Sequence, residues 1–317
     1  MLVISRSSPL GFLLFPLARL LLKPVLLLRN ELGRRKSRHD ADHKSASRQL
    51  GAVDEKWRRK IDTVLSSPDN KKIPRIEGAG TVEDGLVTMH NGIKVSALGY
   101  YGGGILNMLA ENRGVHEPQE ERAFAEIMKR LQPESTMVEL GAYWGFYSLW
   151  FSKEIPGAQC YLVEPSFACL TSGRENFARN ALPATFTQAY VGREAGVARD
   201  GTVVVCVDDF AQQHDLQRIH VLHSDIQGAE AAMLRGATHL FNSRKVDYVF
   251  ISTHSNPLHA ECIELLEQYG YQLLASSDLD DSYSGDGLIV AKGPHIAQPD
   301  LLEISHRSND GPKTKRA

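Results

Sequence analysis

Acidic and imidazole side chains follow several apolar stretches that read as β-strands. The first stretch carries Glu139 and runs into Gly141 and Gly145, which are spaced as G-x-x-x-G. Glycines at a strand-to-helix turn let the backbone approach a ligand closely. Glu164 ends the next strand, at a distance from Gly141 typical of an acid that accepts hydrogen bonds from a ribose diol. The other interpretation of Glu164 is a surface acid at a strand end. The third glycine of the dinucleotide fingerprint G-x-G-x-x-G is missing, which argues against a nicotinamide enzyme.

Three further side chains could handle a proton during transfer of a group to a nucleophile. Period-2 alternation places His223 and Asp225 on the same side of one strand, and His254 ends the following strand. A histidine with a pKa near neutrality suits the removal of a proton from an attacking hydroxyl. A lone histidine is more often structural, and Glu230, in the first turn of a predicted helix, is favourable there for the helix dipole alone.

The elements that must position these residues alternate between strand and helix. We predict strands at 136–141, 159–164, 185–191, 220–225, 246–253, 271–276 and 287–292, and helices at 119–131, 144–154, 167–180, 228–236 and 258–269. Such alternation predicts an α/β fold, a mostly parallel seven-stranded sheet with helices on both faces. The last two strands are joined by a short loop and should form an antiparallel hairpin at the sheet edge.

The chain around this domain, which we place at 116–293, divides into three parts. Residues 1–75 form a basic and apolar N-terminal extension with a linker, and residues 76–115 form a small lead-in with a hairpin at Asn91-Gly92. Residues 294–317 are polar and are expected to be disordered.

The N-terminal segment 9–28 is apolar enough to suggest contact with a membrane. A central Arg19 and the two prolines Pro16 and Pro24 argue against a span. A basic run follows, which suits a peripheral anchor on anionic lipid. Three interpretations stay open: this anchor, a helix that packs on the domain or on a second subunit, and a span.

Composition narrows the class of protein. The 317 residues are 42% hydrophobic and 23% charged, with a net charge of −2, as in a globular protein with no general affinity for nucleic acid. The four cysteines form no C-x-x-C pair and indicate reduced thiols in a cytoplasmic protein. A peripheral contact with a membrane through 9–28 is compatible with this location.

The loop 276–287 holds four aspartates, at 278, 280, 281 and 286. It lacks the distal bidentate glutamate of a calcium loop. Two interpretations stay open: a solvated turn, and a lid that contacts a polyhydroxyl acceptor. Asp225 could ligate Mg²⁺, as carboxylates at such sheet edges sometimes do, but spacing shows no second and third ligand. We therefore assign no metal ligands, and metal dependence stays open.

Five motifs together resemble the FkbM family of S-adenosylmethionine-dependent methyltransferases. They are HEPQEE (116–121), VELGAYWGFYS (138–148), LVEPS (162–166), VVVCVDDF (203–210), read as a strand ending in Asp208-Asp209, and LHSDIQGAE (222–230). The resemblance covers about residues 110–293. The chain departs from the family where many members have E-x-H, because Ser252-Thr253 precede His254.

The resemblance implies a Rossmann-like methyltransferase fold, S-adenosyl-L-methionine as cofactor, and methylation of hydroxyl groups on sugars and natural products. The implied cofactor-binding residues are Glu139, Gly141, Ala142, Tyr143, Gly145, Glu164 and Pro165. Asp225 and Glu230 belong to the family's signature. The absence of an N/D-P-P-Y/F turn after the fourth strand also favours an oxygen acceptor over an amine.

We therefore expect an O-methyltransferase acting on a sugar, glycolipid or natural-product hydroxyl, with Asp225, His254 and His223 as candidate catalytic residues. The expected partners are this acceptor, a membrane surface through 9–28 and a second copy of the chain. The alternative is a non-catalytic methyltransferase-fold protein that acts by interaction.

Overall fold

The computed structural model describes residues 50, 53–98 and 102–310. The apolar segment 9–28 lies outside these residues. Among the helices that are described, none is long and apolar enough to cross a membrane.

The lead-in packs as part of the domain. It comprises strands β1 (Val82–Glu83), β2 (Leu86–Thr88) and β3 (Lys94–Ser96), and helix α2 (Gly103–Glu111). Helix α1 (Glu55–Ser66) and a 3-10 turn (Pro68–Lys71) precede it, at the end of the N-terminal extension. Strands β2 and β3 pair antiparallel across Asn91-Gly92, which confirms the predicted hairpin. Helix α1 buries Ile61 and Val64 in the main hydrophobic core, so this part of the extension packs as part of the domain.

The rest of the domain alternates as predicted. Its helices are α3 (Pro118–Met128), α4 (Phe146–Glu154), α5 (Phe167–Arg179), α6 (Val207–Gln213), α7 (Glu230–Arg235), α8 (Thr238–Asn242), α9 (Asn256–Gln268) and α10 (Arg307–Asp310). Its strands are β4 (Thr136–Leu140), β5 (Gln159–Val163), β6 (Thr185–Thr187), β7 (Tyr190–Val191), β8 (Gly196–Val197), β9 (Val203–Val205), β10 (Ile219–Ser224), β11 (Val246–Thr253), β12 (Gln272–Ser277) and β13 (Gly287–Lys292).

Seven of these strands form one sheet in the order β12-β13-β11-β10-β4-β5-β6. All neighbours pair parallel except β13, which pairs antiparallel with both β11 and β12. This is the predicted Rossmann-like methyltransferase sheet with its antiparallel edge hairpin. Because successive side chains of a strand face opposite sides, Val221 joins one core and Leu222 the other.

Two of the predicted strands are placed differently. The stretch 185–191 splits, because β6 belongs to the large sheet and β7 pairs with β9 in a separate three-stranded sheet. The stretch 203–210 ends as a strand at Val205, so Asp208 and Asp209 lie in the first turn of α6. Acids are favourable there for the helix dipole. Asp208 accepts hydrogen bonds from the amides of His239 and Leu240, which fixes the start of α8.

The segment that follows β13 is not a detached tail, contrary to the prediction from its composition. The amide of Leu302 donates to the carbonyl of Leu274, and the Leu302 side chain is buried. The amide of Ser305 donates to the carboxylate of Asp69, which is fully buried and also pairs with Arg122. The polar composition of this segment did not predict these contacts. Hydrogen bonds from its backbone hold it to the domain, so few apolar side chains are needed to fix it there.

Candidate functional site

A cavity of about 240 Å³ opens at the carboxyl ends of β4, β5 and β10. Open α/β sheets bind ligands at this edge. The cavity is lined by five of the predicted cofactor residues, two of the predicted catalytic residues and several others: Glu139, Gly141, Ala142, Tyr143, Glu164, His223, Asp225, His116, Glu117, Trp144, Tyr147, Cys169, Gln227 and Ser252. We call it the first cavity.

The glycine turn is shaped by close contact between β4 and β10. Gly141 has a φ of +73°, and a Cβ added there would overlap the carbonyl of Asp225. Only glycine accommodates both constraints. Tyr143 also has a positive φ, of 43°, and such strain in a non-glycine residue is typical of functional sites. Its amide donates to Glu164 at 3.1 Å, so the turn and the strand-end acid hold each other.

The Glu164 carboxylate is prepared to accept hydrogen bonds. One oxygen takes the amide of Tyr143 and the other that of Ser166, at 2.8 Å. Each oxygen keeps a lone pair, and the side chain lines the cavity. Desolvation raises the pKa of Glu164 while the two amides oppose that rise. This arrangement fits an acid that binds a diol.

Glu139 is buried and bonds to a helix. Its carboxylate accepts the buried amide of Ser148 at 3.1 Å, a donor in the first turn of α4 that has no partner within the helix. Desolvation raises its pKa. The amide that Glu139 accepts therefore lies at the start of α4 and not within the turn 141–145. The two carboxylates of this wall can accept hydrogen bonds, and the amides of the glycine turn can donate them. This combination fits S-adenosyl-L-methionine.

Asp225 is held by a histidine that lies behind it. The Nε2 atom of His254 lies 3.1 Å from Asp225, and its Nδ1 atom lies 3.0 Å from the buried Glu230. Asp286 lies 3.6 Å away. Desolvation disfavours the imidazolium, but the hydrogen bonds to Asp225 and Glu230 outweigh it and raise the pKa of His254 to about 10. His254 is therefore protonated at neutral pH.

Glu230 has a second task that the helix dipole does not explain. Its carboxylate accepts the amides of Ile226 and Gly228 and so fixes the turn that carries Asp225. Ligand atoms of Asp225, Glu230 and His254 lie within 4.8 Å of one another, a set that could hold a metal ion. Sequence spacing did not reveal this set. A cation there would have to displace the His254 proton and compete with the two amides.

His223 is buried beside the first cavity and pairs with an acid from another element. Its Nε2 atom lies 2.7 Å from Glu120 of α3. The second oxygen of Glu120 accepts the hydroxyl of Ser252 at 3.1 Å. Desolvation opposes the charge of His223, but its hydrogen bond to Glu120 and the charges of Glu120 and Glu139 raise its pKa to about 9. The ring of Tyr147 packs on it, with centroids 4.4 Å apart.

The start of α3 brings a further acid to the site. Glu117 accepts the hydroxyl of Tyr147 at 2.9 Å and faces Nε2 of His116 at 3.3 Å. The other side of His116 pairs with the fully buried Glu121 at 2.8 Å. Desolvation raises the pKa of Glu117 to about 7, with His116 opposing and the charges of Glu120 and Asp225 adding to the rise.

A second cavity, of about 200 Å³, adjoins the first. The two share four lining residues: His116, Glu117, Asp225 and Gln227. The outer walls of the second cavity come from α1, α2 and the loop before β13. A group bound in one cavity therefore meets a group bound in the other beside two carboxylates.

Three predicted site residues lie outside both walls. Gly145 begins α4, and a Cβ there would press on Leu162, so it serves packing. Pro165 contributes its carbonyl to Gln188. His254 lines neither cavity and contacts two residues that line both, Asp225 at 3.1 Å and Gln227 at 2.9 Å.

Sequence reasoning missed the roles of His116, Glu117, Glu120 and Tyr147. The available signal was the stretch HEPQEE, in which a proline starts a helix that carries three acids. Nothing local indicates that this helix crosses the sheet edge near β10.

The sheet order, the glycine turn and the strand-end acids define a Rossmann-like methyltransferase. Residues 141–273 match the family model described as the methyltransferase FkbM domain. This match confirms, for residues 141–273, the resemblance that the sequence motifs predicted. No curated protein matches the chain.

Solved structures of methyltransferases resemble part of the chain. One is the precorrin-6y C5,15-methyltransferase of Geobacter metallireducens, with 16% identity, a TM-score of 0.39, and coverage of 55% of this chain and 88% of that one. Another is the magnesium protoporphyrin IX methyltransferase of Synechocystis, solved with its bound cofactor, with 11% identity, a TM-score of 0.38, and coverage of 54% and 76%.

Proposed function

We propose that this protein is an S-adenosylmethionine-dependent O-methyltransferase that methylates a hydroxyl of a sugar, glycolipid or natural product. The observation that carries the proposal is the pair of adjoining cavities, which share the carboxylates of Glu117 and Asp225. The glycine turn and Glu164 supply a cofactor wall on one side, and the second cavity leaves room for an acceptor on the other.

When bound, S-adenosyl-L-methionine supplies an electrophilic methyl group on a sulfonium. The protein's contribution is alignment of donor and acceptor, which provides most of the rate in such transfers. The first cavity holds the donor through Glu164 and the turn at Gly141. Asp225, fixed by His254, orients the acceptor hydroxyl at the junction.

A hydroxyl acceptor must lose its proton as the new C–O bond forms. A base works best when its pKa lies near the working pH. Glu117 meets this condition, with a pKa of about 7 and a position on both cavity walls. His254 and His223 are already protonated at neutral pH, so neither accepts the proton of the acceptor hydroxyl. His254 instead holds Asp225, and His223 pairs with Glu120.

The turn after β10 also supports oxygen as the acceptor atom. It reads Asp225-Ile-Gln-Gly228, and its shape is fixed by Glu230. The proline pair that would present a carbonyl to an amine is absent from it.

The experiment is calorimetric titration of the protein with S-adenosylhomocysteine, together with Glu164→Ala and Glu175→Ala. Glu175 is a matched glutamate on α5 that pairs with Arg179 outside the cavity. We expect Glu164→Ala to weaken binding ten- to a hundredfold, because a charged acceptor is lost, and Glu175→Ala to leave it unchanged.

Acceptor chemistry is read separately. We expect methyl-tritiated S-adenosylmethionine to label hydroxyl compounds and not the corresponding amines. Preferential labelling of amines would contradict O-methylation. An absence of S-adenosylhomocysteine binding to every variant would instead favour the non-catalytic interaction protein.

A further inference from the structure

We propose that His254, Asp225 and Asp286 form a binding site for one divalent metal ion at the junction of the two cavities. The ion binds the Nε2 atom of His254 and one oxygen of each aspartate. The spacing of residues in the sequence pointed to Asp225 alone and left the other ligands unassigned. The site stands on these side chains by itself, whereas the part that the ion plays in methylation rests on the proposed function.

The three donor atoms have nearly the spacing of neighbouring ligands on one ion. The Nε2 atom of His254 lies 3.1 Å from Oδ1 of Asp225 and 3.6 Å from Oδ1 of Asp286. Two adjacent oxygen ligands at about 2.1 Å from an octahedral ion lie about 3 Å apart. Small movements of the side chains therefore suffice to close the three donors around an ion.

The far side of His254 has the arrangement found behind a metal-bound histidine. Its Nδ1 atom lies 3.0 Å from Glu230, whose side chain is fully buried. A ligating histidine commonly donates its second ring N–H to a carboxylate, which fixes the ring and makes the other nitrogen a stronger ligand. Glu230 is itself held by the amides of Ile226 and Gly228. An ion on the Nε2 side of the ring leaves all of these hydrogen bonds intact.

The remaining ligand positions face the cavities. Asp225, Gln227 and Asp286 line the second cavity, and Asp225 and Gln227 line the first cavity as well. The side-chain nitrogen of Gln227 lies 2.9 Å from Nε2 of His254. A half-turn of this amide brings its oxygen to the same place as a fourth donor. The ion thus keeps open positions for water or for an oxygen of the acceptor, as catalytic metal sites do.

The charge around the site favours a cation. The charged residues that line the second cavity are the acids Glu117, Asp225 and Asp286 and the basic residues His116 and Lys60. His116 is shared by two acids, because it lies 3.3 Å from Glu117 and 2.8 Å from the buried Glu121. The Nζ atom of Lys60 lies over the indole ring of Trp57, 5.5 Å from its centre. The acids therefore outweigh the basic groups, and a divalent ion offsets this excess.

The donor set indicates the kind of ion. One imidazole nitrogen with carboxylate oxygens suits Mn²⁺, Fe²⁺ or Zn²⁺ better than Mg²⁺, because imidazole favours transition metals. On binding, the ion takes the place of the Nε2 proton of His254, which leaves to solvent, and Nδ1 keeps its proton. An ion at the junction also polarises a hydroxyl placed beside it, which eases the loss of the hydroxyl proton to Glu117.

The experiment measures binding of Mn²⁺ to the full chain after treatment with a chelator, by EPR of the free and the bound ion. Pulsed EPR of the bound Mn²⁺ then reports whether a nitrogen ligates it, a test that needs no variant. The variants are Asp286→Asn and, as a matched control in the same loop, Asp280→Asn. Asp280 bonds to Asn256 and does not line the second cavity.

We expect one Mn²⁺ per chain, coupled to a single imidazole nitrogen. Asp286→Asn should weaken Mn²⁺ binding about tenfold or more, because the loss of a ligand costs at least as much as the loss of a ligand's partner. Asp280→Asn should bind Mn²⁺ as the wild type does. Mg²⁺ should displace Mn²⁺ at least tenfold less well than Zn²⁺. Affinity for S-adenosylhomocysteine should be equal in all three proteins, which also shows that each is folded.

The part played by the ion in the reaction is read with the hydroxyl acceptor found by methyl labelling. Chelation should lower the rate of methylation at least tenfold, and added Mn²⁺ should restore it. An unchanged rate in the chelated protein would overturn this part of the inference.

Absence of Mn²⁺ binding, bound Mn²⁺ without nitrogen coupling, or equal affinities of Asp286→Asn and the wild type would overturn the site itself. Each of these results leaves the proposed function standing as long as S-adenosylhomocysteine binds and a hydroxyl is methylated. Binding of Mn²⁺ as expected, but with no methylation of any hydroxyl, would instead be a failure of the proposed function.

Discussion

Glu120 and His223 are 103 residues apart in the chain, and their side chains form a hydrogen bond of 2.7 Å beneath the first cavity. The other oxygen of Glu120 takes the hydroxyl of Ser252. Position 252 is where the E-x-H pattern of the family would place an acid. At the end of β11 this chain has Ser252 in place of that acid. Helix α3 therefore supplies an acid, Glu120, beside this position.

This pair gives the first prediction. Glu120→Gln keeps the shape of the side chain and removes its charge, so the pKa of His223 should fall from about 9 towards the ordinary histidine value of 6.5. Because both side chains are nearly fully buried, the free energy of unfolding should fall by about 3 kcal/mol. Histidine NMR titration and urea unfolding measure the two effects. An unchanged His223 pKa would show that Glu120 is not its counter-ion.

The second prediction concerns the pH dependence of the rate. Glu117 must be ionised to accept a proton, so kcat should rise with pH and level off above a pKa of about 7. Glu117→Gln should lower kcat by about a hundredfold and abolish this rise of kcat with pH, which we call the acidic limb. Affinity for S-adenosylhomocysteine should change little.

The matched control is Glu126→Gln on the same helix, where the glutamate bonds to Lys129 near the surface. It should preserve both the rate and the limb. Persistence of the limb in Glu117→Gln would assign the titration to another group.

The third prediction tests the clamp on Asp225. The pKa of His254 is about 10 in the folded protein, whereas an ordinary histidine has a pKa of 6.5. A raised histidine pKa stabilises the fold fully below pH 6.5, and this contribution is lost as the pH rises through 10. The wild type should therefore unfold at higher urea than His254→Gln below pH 6.5, and the difference should shrink as the pH approaches 10.

His254→Gln should also lower kcat by roughly tenfold or more, because one charge-assisted hydrogen bond to Asp225 is lost. The exposed His239 offers the control, and His239→Gln should leave both kcat and the unfolding curve unchanged. A difference in stability that grows with pH would contradict the assignment of His254 as an imidazolium.

The fourth prediction concerns the segment after β13. Asp69 is fully buried, pairs with Arg122 and accepts the amide of Ser305. Asp69→Ala leaves the Arg122 charge without its partner and should lower the free energy of unfolding by about 3 kcal/mol. Glu303→Ala removes an exposed partner of the same arginine and should cost less than about 1 kcal/mol. Equal effects in urea unfolding would show that the Ser305 contact adds nothing.

The sequence by itself determined the seven strands of the main sheet and the five predicted helices, because local apolar periodicity and glycine turns record them. It did not reveal the short helices α6 and α8 or the small sheet of β7, β8 and β9. It also located Gly141, Glu164 and Asp225, since a side chain at the end of a parallel strand must lie at the binding edge of the sheet. These inferences need only local information and one general rule of α/β topology.

Only the tertiary structure decided which groups share a proton and which carry a fixed charge. Glu117, His116 and Glu120 reach the site because α3 packs across the sheet edge. The pKa of Glu117 depends on burial and on charges as distant in the chain as that of Asp225. The same holds for the second cavity, whose walls come from α1, α2 and the loop before β13. No periodicity encodes such contacts, because each depends on how separate elements pack together.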